Sequence, residues 1–210
     1  MNNFVITIAR GFGSGGKEIG NKLSEALGIP CYDTRLIGML EEYSGLNRSL
    51  FANVDEKLSG PNLLKLLKGF SGTEYIVSPM EKEFVSDENL YQMQVNLIRE
   101  LANSNSCIIV GKCANFVLKD HKNVLSIYVE APREVCVKNI IEKLAISTDE
   151  AHKLITKTDR YRSNYYRYYT RGEDWTNPTA YDLTLNTGRI NTDRCTQLIL
   201  KALEIKELKK

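Results

Sequence analysis

The stretch VITIARGFGSGGKEIG, Val5 to Gly20, constrains the chain more than any other. Apolar residues alternate from Val5, the run breaks into glycine, and helix-forming residues follow at once with a lysine near their start. A strand, a glycine-rich turn and a helix N-terminus in that order make an anion site. Glycine lets main-chain N–H groups come close to a ligand, and the helix dipole favours negative charge there. The competing reading is a tight strand-to-helix turn that holds nothing. Taken literally, Gly11-x4-Gly16-Lys17 fills the first seven places of a phosphate-binding P-loop. The eighth is Glu18, where serine or threonine would ligate magnesium.

The rest of the chain repeats this alternation of strand and helix. Strand patterns fall at 4–9, 107–111, 124–131 and 181–187, with a short one at IPCY. Between them GKEIGNKLSEALG sets Ile19, Leu23 and Leu27 on one helical face, with Gly28 as the stop. Further helices are expected from Thr34 (TRLIGMLEEY), over NLYQMQVNLIRELAN, after Pro132 (PREVCVKNIIEKLA) and over residues 193–208. Inner strands apolar on both sides point to an α/β protein with a parallel sheet covered on both faces. Residues 46–88 break the rhythm with Gly60-Pro61, Gly69, Gly72 and Pro79 among short polar runs, the pattern of an inserted subdomain.

Composition narrows the partners. In 210 residues the formal net charge is +2, too small to argue for nucleic acid or a membrane surface. No apolar run approaches the roughly 18 residues of a membrane span. The N-terminus enters FVITIA without a basic region, a long apolar core or a cleavage site, so a cytoplasmic protein is expected. The five cysteines (31, 107, 113, 136 and 195) form no Cys-x-x-Cys pair and only two histidines accompany them, which reads as structural thiols rather than zinc ligands.

Together, VITIARGFGSGGKEIGNKLSEALGIPCYD, CIIVGKCANFVL, TDRYRSNYYRYYT and YDLTLNTGRINTDRCTQLI resemble the cytidylate kinase-like family, near the P-loop nucleoside monophosphate kinases. The resemblance spans most of the chain outside 46–88. It implies a P-loop sheet of about five strands with helices on both faces, ATP and Mg2+ as cofactors, and a small nucleotide-like acceptor. It also exposes a departure. Cytidylate kinases read like V-I-T-I-D-G-P-S-G-A-G-K-G-T. Laid without gaps on Val5–Glu18, that pattern keeps Gly13 and Gly15 but puts Gly16 where the lysine belongs and Arg10 at the first glycine. Lys17 then falls one place late and Glu18 replaces the threonine. The gapless register keeps both flanks in phase and is the one favoured here. A one-residue displacement on a helix turns a side chain by about 100°. Either Lys17 bends back, or Arg10 or an arginine of a lid supplies the missing charge.

The resemblance further implies that Asp33 opens the acceptor-binding segment, where it could meet a substrate hydroxyl, take a proton or hold magnesium through water; read alone, it is a helix N-cap. Lys112 stands where the family carries an arginine for the acceptor phosphate, keeping the charge but losing the two-pronged geometry. Cys136 replaces another arginine, with Arg133 and Lys138 nearby. Asn186-Thr187-Gly188 is implied to border the adenine pocket; the plain alternative is a turn capped by Thr192.

KLITKTDRYRSNYYRYYTR, 153–171, reads as one helix. At 100° per residue Lys153, Lys157, Arg160, Arg167 and Arg171 fall within roughly 40° of one line, beside a stripe of Tyr161, Tyr165 and Tyr168. This suits a lid closing over polyphosphate. Asp159 and Arg162 match the Asp-x-x-Arg of kinase lids, the aspartate orienting an arginine. A solvated basic helix and a nucleic-acid surface are the competing readings.

The expectation is therefore one kinase-like domain over 1–210, with an acceptor-binding insert at 46–88 and a basic lid at 153–173. Nucleotide would be bound by Arg10, Gly11, Phe12, Gly13, Ser14, Gly15, Gly16, Lys17 and Glu18. Lys17, Arg160, Arg162 and Arg167 would balance charge during transfer of the ATP γ-phosphoryl group, and Asp33, Lys112 and Asp159 would serve the substrate. CMP is the first acceptor considered. Alternatives are a kinase for another small molecule, or a nucleotide sensor that turns over poorly. A second copy could pack on YYRYY and the last helix.

Overall fold

The computed structural model describes residues 3–33 and 87–208. The elements are β1 (Val5–Arg10), α1 (Gly16–Leu27), β2 (Cys31–Tyr32), α2 (Asp87–Ser104), β3 (Cys107–Val110) and α3 (Ala114–Val117). After them come β4 (Val124–Glu130), α4 (Arg133–Leu144), α5 (Thr148–Tyr169), β5 (Leu183–Asn186) and α6 (Thr192–Ile205). The chain divides into two units, residues 1–33 with 98–210 and residues 34–97. Of the second, only the opening of α2 is described. The expected insert at 46–88 therefore lies outside the described residues except for its last two positions, as does the helix expected from Thr34. Among the described residues no helix is long and apolar enough to cross a membrane.

All five strands are parallel, in the order β2-β3-β1-β4-β5. Val5 and Ile8 of β1 register against Cys107 and Val110 on one side and against Val124 and Ile127 on the other. A parallel crossover is right-handed, so the direction of the next strand decides which face its helix covers. The chain leaves β1 towards β2, whereas β3 and β4, its neighbours, both send it the opposite way. The connection from β1 thus goes to one face and those on either side go to the other, leaving a crevice at the carboxyl end of β1. The glycine loop opens there.

The β1–α1 face of the sheet is closed by α1 and α6. Ile19 and Leu23 of α1 and Cys195, Ile199 and Leu203 of α6 are fully buried in one cluster with Ile6, Ile8, Ile108 and Ile127, and Leu27 packs at its edge. The alternate residues Val5, Thr7, Cys107 and Ile109 are also buried, as a sheet covered on both faces requires. Four of the five cysteines are buried and Cys31 is half-buried; none is in a disulfide.

Helix ends follow their caps, with three departures from expectation. Gly28 ends α1 in the left-handed region at φ 65, its N–H donating to the Ser24 carbonyl at 2.9 Å. Pro132 takes the N-cap position of α4. For α6, however, the cap is Asn191 and not Thr192. The Asn191 backbone is extended and its side chain accepts from the Arg194 N–H at 2.9 Å, which makes Thr192 the first helical residue. Helix α5 begins before Lys153 because Ser147 and Glu150 form a reciprocal capping box. It ends at Tyr169. Arg171 lies beyond it at φ 61, so the fifth cation leaves the helical line drawn from spacing.

Leu23→Ala deletes a fully buried side chain between α1 and the sheet and should cost about 2–5 kcal/mol. Leu198→Ser, at an exposed position of α6, should stay within about 0.5 kcal/mol of the wild type. Urea unfolding of the two variants checks the pair.

Candidate functional site

The loop from Arg10 to Gly16 is held by its carbonyl groups. The Arg10 carbonyl accepts from Arg162 Nη1 at 3.0 Å, and Gly11 accepts from the Ser14 hydroxyl at 2.8 Å. Gly13 accepts from Asn139 Nδ2 at 2.8 Å, Ser14 from the Thr187 hydroxyl at 2.7 Å, and Gly15 from the Ile19 N–H at 3.0 Å. With these oxygens turned outward, the amides face the other way. Among the described residues, the N–H groups of Gly13, Gly15, Gly16 and Lys17 meet no hydrogen-bond acceptor. Gly13 and Gly15 sit at φ 88 and 85, a region costly for residues with a Cβ, and a Cβ on Gly13 would stand 2.8 Å from the Cys136 carbonyl oxygen. Gly15 is the N-cap of α1 and supplies no side-chain acceptor, which leaves the helix's first donors for a ligand.

One amide of the loop already holds an anion. The Phe12 N–H donates to Asp159 Oδ1 at 2.8 Å, bringing α5 onto the loop. Arg162, one turn further on, is buried, lies 3.6 Å from Asp159 and stacks 5.4 Å from the centre of the Phe12 ring. Burial pushes the Asp159 carboxyl up to about 6, against the opposing pull of Arg162 and the Phe12 N–H. The carboxylate thus occupies an anion seat, at the energetic cost of its own desolvation.

Around this mouth the strand ends bring Arg10, Lys112 and Asp33, and α5 brings Arg162. Lys112 follows β3 at φ 63 and is buried. Burial, then the nearby Arg10, hold its ammonium well below the usual lysine range; Arg162 acts in the same sense and Asp33 against it. Lys17 points to the end of β2, where its Nζ lies 2.5 Å from Asp33 Oδ2.

Other expected residues are placed elsewhere. Glu18 turns to α6, accepting from the Thr192 hydroxyl at 2.6 Å and pairing with Lys22 at 2.8 Å; these two hold its carboxyl below the ordinary range. The Ser14 side chain is buried, donating to the Gly11 and Val129 carbonyls. Arg160 and Arg167 are exposed, whereas Arg162 is buried against the loop, so the three do not converge here. Of the expected tyrosine stripe, Tyr161 and Tyr165 are in ring contact; the run then passes to Tyr169, which meets Tyr168. Of Cys136's neighbours, Arg133 bonds to the His152 carbonyl and the Thr156 hydroxyl, and Lys138 faces solvent beside Glu142.

Sequence reading missed Asn139 and Glu130. Glu130 ends β4 beneath Gly11, accepting from the Tyr128 hydroxyl at 2.6 Å and the Ala131 N–H at 3.0 Å. A Cβ on Gly11 would collide with its carboxylate. A lone carboxylate closing an apolar strand was the available signal. Asn139, inside a helix, gave none.

A model of the cytidylate kinase-like family matches residues 5–189. A cytidylate kinase from Sulfolobus acidocaldarius is 30% identical over 129 residues, covering 61% of this chain and 68% of that protein. One from Methanopyrus kandleri is 28% identical over 114 residues, covering 50% of this chain and 58% of that one. Among solved structures, an uncharacterized protein from Eubacterium ventriosum aligns with a TM-score of 0.70 at 24% identity, over 96% of this chain and 99% of that one. A shikimate kinase from Bacteroides thetaiotaomicron aligns at 0.53 with 15% identity, over 96% and 98%. These two likenesses are of fold.

Asp159 has a raised folded-state pKa, so its contribution to stability is full below about pH 4 and is lost as pH rises through about 6. Asp159→Asn keeps an acceptor for the Phe12 N–H and cannot titrate. The melting temperature of wild type minus that of the variant should therefore fall between pH 4 and pH 7. A difference that is flat or rises across that window contradicts the assignment.

Proposed function

The chain belongs to the cytidylate kinase-like family, and on that premise we propose that it moves the γ-phosphoryl group of ATP to a small acceptor, a nucleoside monophosphate such as CMP first. Family membership supports kinase-type phosphoryl transfer; the acceptor is our reading. The observation that carries it is the carboxylate of Asp159 seated on a loop amide, with Arg10, Lys112 and Arg162 around the same mouth. A site that draws in an anion from its own chain is built for negative charge.

In this reading the amides of residues 11–17 hold the donor phosphates. An oxygen of the acceptor attacks the γ-phosphorus, the bond from that phosphorus to the bridging oxygen breaks, and the nucleoside diphosphate leaves. Little covalent chemistry falls to the protein; catalysis is positioning and charge balance. Arg162 is fixed on the loop backbone, and Lys112 and Asp33 serve the acceptor side. A phosphate dianion entering beside Lys112 favours its charged form, reversing the effect of burial.

Magnesium normally travels with the nucleotide phosphates and takes one or two carboxylates. Glu18, in place of the usual hydroxyl ligand, is turned to Lys22 and Thr192, and Asp33 is paired with Lys17. Among the described residues no group of three or more metal-ligating side chains stands ready. Among the described residues the side chains do not form a resident magnesium site, and none of the steps above runs through one.

The arrangement of Glu18 and Lys17 also favours a second reading, a nucleotide sensor with slow turnover. Incubation with magnesium and γ-labelled ATP and a panel of acceptors separates the two. Label moving to one acceptor supports the kinase, tight ATP binding without transfer supports the sensor, and no affinity for ATP, GTP or pyrophosphate ends both. For the kinase, Lys112→Met removes a charge-assisted contact of about 1.5–3 kcal/mol. It should raise the acceptor KM by roughly 10- to 150-fold, with a much smaller change for ATP.

A further inference from the structure

The side chain of Arg10 follows an unusual path, and two glycines make room for it. A Cβ on Gly16 would stand 2.6 Å from Arg10 Cβ and 3.0 Å from its Cγ. A Cβ on Gly111 would fall on the Arg10 guanidinium, at Nη1. Gly111 is at φ 82, so its backbone alone calls for glycine; Gly16 is not in that region, and the reason found for its missing side chain is space. Arg10 therefore runs from the end of β1, across the first residue of α1, to the turn after β3. It crosses the place from which a loop lysine would start in the gapless register, and its head reaches the crevice between β1 and β3.

We infer that Arg10 is the phosphate-binding cation of this loop, doing for a nucleoside triphosphate tail what the lysine does in an ordinary P-loop. This deepens the proposed function and rests on it. In an ordinary P-loop the lysine at the first helical turn reaches the β and γ phosphates. Here that position is Gly16, and Lys17, the next residue, is engaged with Asp33 at 2.5 Å. A cation entering from the strand side, through the space vacated at Gly16, restores charge to the loop without moving its glycines. Arginine suits the role: its charge survives in a crowded cationic site, and its planar fork can meet two phosphate oxygens at once. Lys112, next to it, is buried, and burial and the Arg10 charge hold its ammonium below the usual lysine range. Arg162, whose Nη1 is on the Arg10 carbonyl, fixes the backbone from which Arg10 departs.

The test uses the full chain and inorganic tripolyphosphate, which has the phosphates of ATP without the base. Isothermal titration should give binding to the wild type, at least tenfold weaker binding to Arg10→Met, and a smaller loss for Lys17→Met. The double variant Arg10→Gly with Gly16→Lys, which returns a lysine to the usual place, should recover to within about threefold of the wild type. Gly16→Lys alone should bind worse than the double variant, since its Cβ meets the Arg10 stem. Should Arg10→Met fail to fold, judged by circular dichroism, the Nε–Hε resonance of Arg10 in the wild type is followed instead; it should shift on adding tripolyphosphate. Wild-type binding with Arg10→Met within twofold of it, or an unmoved Arg10 resonance at saturation, overturns the role of Arg10 and leaves the proposed function standing. No tripolyphosphate binding by the wild type overturns both.

Discussion

The outward capture of the loop carbonyls is the constraint from which the rest of the site follows. Arg162, Asn139 and Thr187 reach the loop from α5, α4 and the end of β5, and the Ser14 hydroxyl closes it from within. Each bond holds a peptide plane with its oxygen towards the scaffold. Gly13 and Gly15 then accept the left-handed geometry that this imposes. A buried polar group costs more when unpaired than it contributes when paired, so the donors act together in fixing the ring of amides. The sheet order supplies the remaining condition, a crevice at the end of β1 where the loop lies.

The same contacts divide α5 into two faces with different work. Asp159 and Arg162 lie against the loop, while Arg160 and Arg167 lie on the solvent side. On a helix, residues two apart point in nearly opposite directions, so Arg160 and Arg162 cannot address one phosphate from a straight α5. The cationic line drawn from spacing is real up to Arg167, but the residue that meets the loop lies off it. Asp159 compensates Arg162 and the Phe12 amide, which keeps buried positive charge from standing unopposed.

Much of the fold was legible because its signals are periodic and local: apolar strands alternating with Ile19–Leu23 type helical faces, and Gly28 as a stop. The errors were equally local. Asn191 and Thr192 are both good caps, and spacing does not choose between neighbours; the Ser147–Glu150 box went unread. Within the site, the glycines and the positions of Asp33, Lys112 and Asp159 were readable from motif order. Their partners were not. That Lys17 would turn to Asp33, that Glu18 would be drawn to Lys22 and Thr192, and that Arg10 would lie over Gly16 depend on three-dimensional neighbours up to 174 residues away in sequence. Asn139 acts on the loop backbone, a kind of contact that carries no residue-type signature.

In the proposed function the amides following β1 converge on a polyphosphate. A crystal structure with a non-hydrolysable ATP analogue and magnesium tests it most directly. Phosphate oxygens should lie within about 2.7–3.2 Å of the backbone nitrogens of Gly13, Gly15, Gly16 and Lys17. A nucleotide bound elsewhere, with those amides turned to solvent or to protein carbonyls, would contradict it.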